Sequence, residues 1–156
     1  MKKRIICGLI LAAMAGMLCS GCGSTKEVNG ELQDGYYTAI TAVQEFGWNE
    51  FVTICVKNHQ IVSVEYNAKN PSGFIKSWDM AYMRNMNPIS GTYPNHYTRT
   101  YAAEFLEEQS SEEIDMLTGA TSSGMNFKAL TAAVLESARA GDTTITEVTV
   151  DKPAEE

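Results

Sequence analysis

The order of apolar and polar residues predicts three β-strands in the first half of the folded region. One run, Tyr36–Val43, follows the turn pair Asp34-Gly35, and another, Ile61–Tyr66, follows the short turn Asn58-His59-Gln60. Between them, Glu50–Lys57 alternates, with Val52, Ile54 and Val56 on one face and Phe51, Thr53, Cys55 and Lys57 on the other. Alternating runs on both sides of a short polar turn are typical of a β-hairpin. We therefore expect an antiparallel meander of three strands.

Two helical patterns occupy the middle of the chain. The first, Trp78–Asn87, has a methionine at every third position (Met80, Met83 and Met86). We expect it to stop at Pro88, which lacks the amide hydrogen that a helix needs. After a loop over Ser90–Asn95, His96–Gln109 places four apolar side chains on one helical face: Tyr97, Tyr101, Phe105 and Leu106.

The clearest helix comes last. Within Ser123–Ala140 four apolar residues recur at helical spacing, namely Phe127, Leu130, Val134 and Ala138. Gly141 is a typical helix terminator, and the alternating, β-branched run Thr143–Val150 predicts a final strand. Strands, then helices, then a strand predict a single small α+β domain with a mainly antiparallel sheet.

The first residues have the composition of a secretion signal. Residues 1–21 begin with three cations and continue with a short apolar run that ends in small residues before Cys22. This ending resembles a lipobox, which implies cleavage before Cys22 and a lipid on its thiol, although Leu18 lies one place further back than usual. We expect residues 22–33 to tether a domain at 34–150, and residues 151–156 to form a polar tail. The alternatives are a plain secreted protein and a retained membrane anchor.

Removal of the signal would change both the number of cysteines and the net charge of the chain. Cys19 and Cys22 spell C-x-x-C, but Cys7 and Cys19 leave with the signal, so Cys55 is the one thiol left once Cys22 carries lipid. On its strand we expect Cys55 to be a core residue, and the mature domain to have no internal disulfide. Three cations and no acids leave with the signal, which takes the formal charge from −7 to −10. So acidic a surface argues against nucleic acid as a partner.

The stretch from Asp115 to Ser123 is a run of small and hydroxylated residues that opens into the last helix. A helix N-terminus offers unpaired amides and the positive end of the helix dipole, and Gly119 lets the backbone approach a ligand closely. Such a terminus suits a phosphate group. The plainer interpretation is that Ser122 or Ser123 simply caps the helix.

The letters Asp115-x-x-Thr118-Gly119-Ala120-Thr121 resemble the flavinylation motif D-x-x-[ST]-G-A-T of the FMN-binding domain family. That family includes the flavin subunits of Rnf and sodium-pumping quinone reductase complexes, and small lipoproteins of extracellular electron transfer. The likeness covers about residues 34–150. It includes Asp34-Gly35-x-Tyr37, Gly47-Trp48, Ser90-Gly91 with Tyr97, and Asn126-Phe127-Lys128-Ala129-Leu130.

The resemblance implies that Thr121 carries FMN through a phosphoester on its side-chain oxygen. Asp115, Thr118, Gly119 and Ala120 complete the motif, and Ser122 and Ser123 follow it at the helix start. The resemblance also implies a separate flavin transferase that uses FAD and magnesium and releases AMP. A carboxylate repels a phosphate because both are negative, so we assign Asp115 to loop capping or to recognition by the transferase.

Six other side chains are candidates to pack the flavin ring, although for each of them a plain core position is the leading expectation: Trp48, Trp78, Tyr97, Met80, Met83 and Met86. His59 and His96 have no partner at metal-ligand spacing, so we expect solvated or capping histidines and no metal site. No catalytic residue is predicted.

The resulting hypothesis is an electron carrier anchored by lipid to the extracytoplasmic face of the cell membrane. It would take electrons from a membrane quinone dehydrogenase or another redox partner and pass them to extracellular acceptors. Two alternatives stay open. One is a flavin-free binding lipoprotein of the same fold, and the other is a flavin-dependent reductase with a substrate of its own.

Overall fold

The computed structural model describes residues 30–151 as an α+β domain. The strands are β1 (Gly35–Thr41), β2 (Asn49–Lys57), β3 (Gln60–Lys69) and β4 (Thr146–Val148), and the helices are α1 (Met80–Ser90), α2 (Pro94–Glu108) and α3 (Thr121–Ala140). A single 3₁₀ turn, Lys76–Trp78, precedes α1. No helix within the described part of the chain is long and apolar enough to span a bilayer.

The sheet has the strand order β3-β2-β1-β4. β1, β2 and β3 form the expected antiparallel meander, and β4 lies parallel beside β1. The turn between β2 and β3 has positive φ at Asn58 and His59, which is typical of a tight type I′ hairpin. The prediction of an α+β domain with a mainly antiparallel sheet is confirmed.

One face of the sheet packs against α2 and α3. β2 buries Val52, Ile54 and Val56 on this face, as its alternation predicts, and the predicted stripe of α3 is fully buried. Phe127 lies at the centre of an aromatic cluster with Tyr66, Tyr101 and Phe105, at ring-centroid distances of 4.5, 5.4 and 5.9 Å. This cluster joins α2 and α3 to β3.

Several expected boundaries and environments were wrong. α1 runs past Pro88 to Ser90, because losing one amide close to the helix end removes only one hydrogen bond. It ends at Gly91, whose φ is 70° and whose amide bonds the Asn87 carbonyl. Cys55 is half-buried on the sheet face away from the helices, so it is not a core residue. Leu106, expected on the buried face of α2, is 37% exposed.

Other boundaries shifted by smaller amounts. α2 starts earlier than expected because Pro94 is at its first position, where a missing amide hydrogen costs nothing. β4 has three residues of the predicted run Thr143–Val150. The expected tether reaches into the fold, since the Gln33 amide bonds the Ala138 carbonyl and Leu32 packs on the core. The predicted signal at residues 1–21, the predicted lipid site Cys22, most of the predicted tether and most of the predicted polar tail lie outside the described residues.

Candidate functional site

The residues before α3 form a tight turn. The Ala120 amide donates to the Leu117 carbonyl at 3.0 Å, and Gly119, the third residue of the turn, has a φ of 80°. A hydrogen bond across four residues with a positive φ at the third is typical of a type II turn, where glycine is strongly favoured. Thr118 lies exposed at the second position of the turn.

Gly119 is also required by packing. A β-carbon built on Gly119 would lie 2.0 Å from the backbone oxygen of Ser90, at the end of α1. The contact would be with the backbone of Ser90, which cannot move aside as a flexible side chain can. The turn before Thr121 therefore fits closely against the end of α1, and two separate stretches of the sequence meet here.

Tyr101 holds the same turn from the other side. Its buried hydroxyl accepts from the Leu117 amide at 3.0 Å and donates to the Ala120 carbonyl at 3.3 Å. The sequence predicts Tyr101 only as part of an apolar helical face. The structure adds that its hydroxyl fixes both ends of the turn that leads to Thr121.

Helix α3 begins at Thr121, two residues earlier than expected, with Ala120 at the boundary position. The N-cap is Ala120, which makes no side-chain capping bond, so the interpretation of Ser122 or Ser123 as the cap is wrong. Thr121 and Ser122 are exposed. The first amides of a helix lack partners within the helix and carry the positive end of its dipole. Thr121 therefore lies at an exposed helix start that suits an anion.

The Ser123 hydroxyl turns inward to a buried carboxylate. It donates to Glu50 Oε1 at 2.8 Å, while the Tyr66 hydroxyl lies 2.7 Å from Glu50 Oε2 and 2.9 Å from the Ser123 carbonyl. Burial, reinforced by the charge of Glu50, raises the pKa of Tyr66 well above its usual range. Tyr66 therefore stays protonated and can donate. This network ties the first turn of α3 to β2 and β3.

A cleft of about 140 Å³ opens beside Thr121. Its walls come from four parts of the chain: the β1–β2 hairpin and the start of β2, the 3₁₀ turn, α1 with α2, and the Gly119–Ser123 stretch. The side chains that line it outside this last stretch are Glu45, Phe46, Trp48, Glu50, Lys76, Tyr82, Met86 and Tyr97. An aromatic wall thus faces a helix start that suits an anion.

Lys76 supplies a positive charge to this cleft while being only 7% exposed. Its Nζ lies 4.9 Å from the centre of the Tyr82 ring, which is within the range of a cation–π contact. Burial by itself lowers the pKa of Lys76, but the nearby groups Tyr97, Glu50 and Tyr82 outweigh it, so the pKa is raised overall. Lys76 therefore stays protonated at neutral pH.

Phe46 lies at the rim of the cleft, at the tip of the β1–β2 hairpin. The hairpin is closed by two hydrogen bonds between the backbones of Glu45 and Trp48, at 2.8 and 2.9 Å. Phe46 is 89% exposed and has a φ of 49°. A bulky residue with positive φ is a conformational outlier, and such strain is concentrated at functional sites.

The expected ring-packing residues fall into two groups. Trp48, Tyr97 and Met86 line the cleft. Trp78, Met80 and Met83 do not, and the expectation that Trp78 and Met80 are core is wrong, because they are 65% and 61% exposed. The three methionines therefore lie on two surfaces of α1, with Met86 in the cleft lining and Met80 and Met83 outside it.

Asp115 lies exposed before the turn. Its amide donates to Glu104 Oε1 at 2.6 Å. Within residues 30–151 its carboxylate accepts no hydrogen bond, so the loop-capping interpretation lacks support and recognition by a partner protein stays a prediction. Both histidines bond nearby groups, since His59 Nδ1 lies 2.8 Å from the Leu32 carbonyl and His96 Nδ1 lies 3.0 Å from the Thr92 hydroxyl.

Five residues that line the cleft were not found from the sequence: Glu45, Phe46, Glu50, Lys76 and Tyr82. They come from the β1–β2 hairpin, the start of β2, the 3₁₀ turn and α1, and only the fold brings them to Thr121. The available signals were weak. Glu50 interrupts the apolar face of β2 at its start, and the turn Phe46-Gly47 comes before a tryptophan.

Comparison with known proteins gives two informative relatives. No protein-family model matches the chain. The chain is 33% identical over 142 residues to a protein called 15 kDa lipoprotein from Treponema pallidum (strain Nichols), covering 91% of this chain and 95% of that protein. The crystal structure of the CPE2226 protein from Clostridium perfringens is 36% identical with a TM-score of 0.73, covering 77% of this chain and 99% of that one.

Proposed function

We propose that this chain, which belongs to the family of the 15 kDa lipoprotein of Treponema pallidum, is a lipid-anchored electron carrier with FMN bound covalently to Thr121. The observation that carries the proposal is the position of Thr121. It is the exposed first residue of a helix without a side-chain cap, at the edge of a cleft with aromatic walls.

The helix start fits the phosphate of FMN. A phosphoester on Thr121 would place its oxygens next to the first amides of α3, where both the unpaired hydrogens and the dipole favour negative charge. The turn at Gly119 and the Tyr101 hydroxyl hold this end in place. We infer that the chain positions the phosphate mainly through its backbone.

The aromatic wall fits the isoalloxazine ring. Typical small-molecule pockets measure about 300–1,000 Å³, so a cleft of about 140 Å³ is too small to enclose a flavin. The ring would lie across the rim, against Trp48 and the exposed Phe46, with one edge open to solvent. An open edge suits electron exchange with large partners, and it leaves little room for a separate substrate. This size favours a carrier over a reductase.

Attachment of FMN needs help from a second protein. The Thr121 hydroxyl is a weak nucleophile without an activating base, and both oxygens of Glu50 already accept hydrogen bonds. A flavin transferase that uses FAD and magnesium would form the bond from the Thr121 oxygen to the phosphorus of the FMN half. The pyrophosphate bond breaks, AMP leaves, and the hydroxyl proton passes to the transferase.

The anchor is proposed from the signal and the relative. The relative is named a lipoprotein, and the predicted signal of this chain, residues 1–21, ends directly before Cys22. Cleavage before Cys22 and lipid on its thiol would hold the domain at the membrane, on the extracytoplasmic face. There it would receive electrons from a membrane quinone dehydrogenase or another redox partner and pass them to extracellular acceptors or reductases.

The test is the intact mass of the mature domain made in cells that co-express a flavin transferase. We expect a gain of one FMN less one water in the wild type and in Thr121→Ser, which keeps the hydroxyl. Thr121→Ala should lose the gain completely. Its free energy of unfolding should change by less than about 0.5 kcal/mol, because the side chain is exposed.

Ser122→Ala is the matched control, since it removes the neighbouring exposed hydroxyl and should keep the flavin. Covalent flavin on Thr121→Ala would overturn the site. An unmodified wild type, with the same transferase active on a known substrate protein, would overturn the cofactor and favour a flavin-free binding lipoprotein.

A further inference from the structure

Lys76 is a buried cation in the lining of the cleft beside Thr121. It is the first residue of the 3₁₀ turn Lys76–Trp78. Within residues 30–151 no carboxylate oxygen lies within 4.0 Å of its Nζ. The Tyr82 and Tyr97 rings and the charge of Glu50, more than 4.0 Å away, stabilise the cation, and both Glu50 oxygens already accept hydrogen bonds from Tyr66 and Ser123. An anionic group in the cleft would therefore be the closest negative charge to Lys76.

The ammonium lies on the aromatic side of the cleft. It contacts the face of Tyr82, whose ring packs edge-on against Trp48 at a centroid distance of 6.4 Å. The phosphate already has the start of α3 as its favourable environment. The group that would come nearest to Lys76 is therefore the flavin ring, which we place against Trp48.

We propose that Lys76 stabilises the reduced flavin ring and thereby sets its reduction potential. The inference rests on the flavin of the proposed function. Full reduction takes two electrons and one proton, supplied by a reduced donor such as a quinol and by solvent, and leaves the ring with one negative charge. A nearby cation favours that anion over the neutral oxidised ring. Charge next to the ring is one of the means by which a protein tunes a flavin.

The test is the midpoint potential of the flavinylated domain, measured in wild type, Lys76→Met and Lys76→Arg. In Lys76→Met we expect the ratio of oxidised to reduced flavin at a fixed potential to rise about tenfold. For a two-electron couple this is a shift of about 30 mV to more negative values. Lys76→Arg keeps the charge and should restore most of the wild-type potential.

Lys69→Met is the matched control. It removes one lysine charge from the exposed end of β3, outside the cleft lining, and should leave the potential unchanged. Equal shifts in Lys69→Met and Lys76→Met would mean a nonspecific effect of net charge and would overturn the proposal. An unchanged potential in Lys76→Met, combined with a moved phosphorus-31 resonance, would place Lys76 on the phosphate and would also overturn it.

A measurement on the wild-type protein covers the case in which Lys76→Met does not fold. In protein labelled with carbon-13 at lysine Cε, the Lys76 signal should move more than the Lys69 signal when the flavin is reduced. Equal movement of the two signals would contradict the proposal. The intact mass shows beforehand whether flavin is present, so a failure of the proposed function is distinguished from a failure of this inference.

Discussion

The two ends of helix α3 terminate in opposite ways. At the C-terminal end, Gly141 has a φ of 67° and its amide bonds the Ala138 carbonyl, while the Asp142 amide bonds the Ser137 carbonyl at 2.9 Å. This pair of bonds is a Schellman motif, which satisfies the last carbonyls of the helix. Arg139 in the last turn complements the negative end of the dipole.

The N-terminal end has no such closure. Ala120 offers no side-chain cap, and the first turn has no acidic residue. Unpaired amides at a helix start are satisfied by side chains, by water or by ligands. The end without a side-chain cap is the end at which the sequence resembles a flavinylation motif, and it borders the cleft. The chain itself closes the C-terminal end, and the proposed function assigns the N-terminal end to the phosphate of FMN.

Substituting the glycine at each end tests this difference most strongly. Gly119→Ala should lower the free energy of unfolding by about 2–4 kcal/mol, because alanine is strained at positive φ and its β-carbon would meet the Ser90 backbone. Gly141→Ala should cost about 1 kcal/mol, because its β-carbon would meet the Gln33 side chain, which can move. Urea denaturation of both variants measures this.

The glycine pair also separates stability from flavin loading. Gly119→Ala shifts the turn before Thr121, so its folded fraction should load FMN more slowly, while Gly141→Ala should load at the wild-type rate. Equal losses of stability in the two variants would show that the close fit of the turn to α1 does not matter.

A pair of serines gives a smaller contrast. Ser123→Ala removes a donor to the buried Glu50 carboxylate and should cost about 1–3 kcal/mol. Ser137→Ala removes a hydroxyl contact to Thr146 at 2.9 Å near the other end, and should cost about 0.5–1.5 kcal/mol. Thermal unfolding of both variants tests the order. A larger loss of stability in Ser137→Ala than in Ser123→Ala would show that the hydrogen bond from Ser123 to Glu50 contributes little.

The smallest effect on stability is expected at Phe46. Phe46→Gly loses little buried surface and relieves about 1 kcal/mol of backbone strain, so the free energy of unfolding should stay within about 1 kcal/mol of the wild type. Iodide should quench the fluorescence of the attached flavin more strongly in this variant. Tyr36→Ala, which removes an exposed aromatic ring elsewhere, should leave quenching unchanged. Unchanged quenching in Phe46→Gly would remove Phe46 from the ring contact.

The pattern of apolar residues correctly predicts the strands and helices that bury only one face. The alternation of β2 predicts its buried face because successive side chains point to opposite sides of a sheet. The stripe from Phe127 to Ala138 predicts the buried face of α3 in the same way. The start of α3 was misplaced because serines are common caps, and sequence alone does not reveal that Ser123 bonds a carboxylate on another strand.

The walls of the cleft could not be predicted, because they depend on contacts between distant residues. Lys76 and Thr121 are far apart in sequence and lie in the same cleft only because α1 packs next to the turn at Gly119. The positive φ of Phe46 is also invisible in the sequence, since phenylalanine rarely adopts it. The motif alone leads to the hypothesis of a cofactor on Thr121, whereas the residues that surround Thr121 could be identified only from the structure.

The central claim is most directly tested on protein taken from the native cell envelope. Trypsin should release one peptide that spans residues 100–128 and contains Thr121. We predict that this peptide carries the mass of one FMN less one water, that fragmentation locates it on Thr121, and that the peptide fluoresces as a flavin. A fully unmodified peptide, from cells in which flavin transferase activity is demonstrated, would contradict the account.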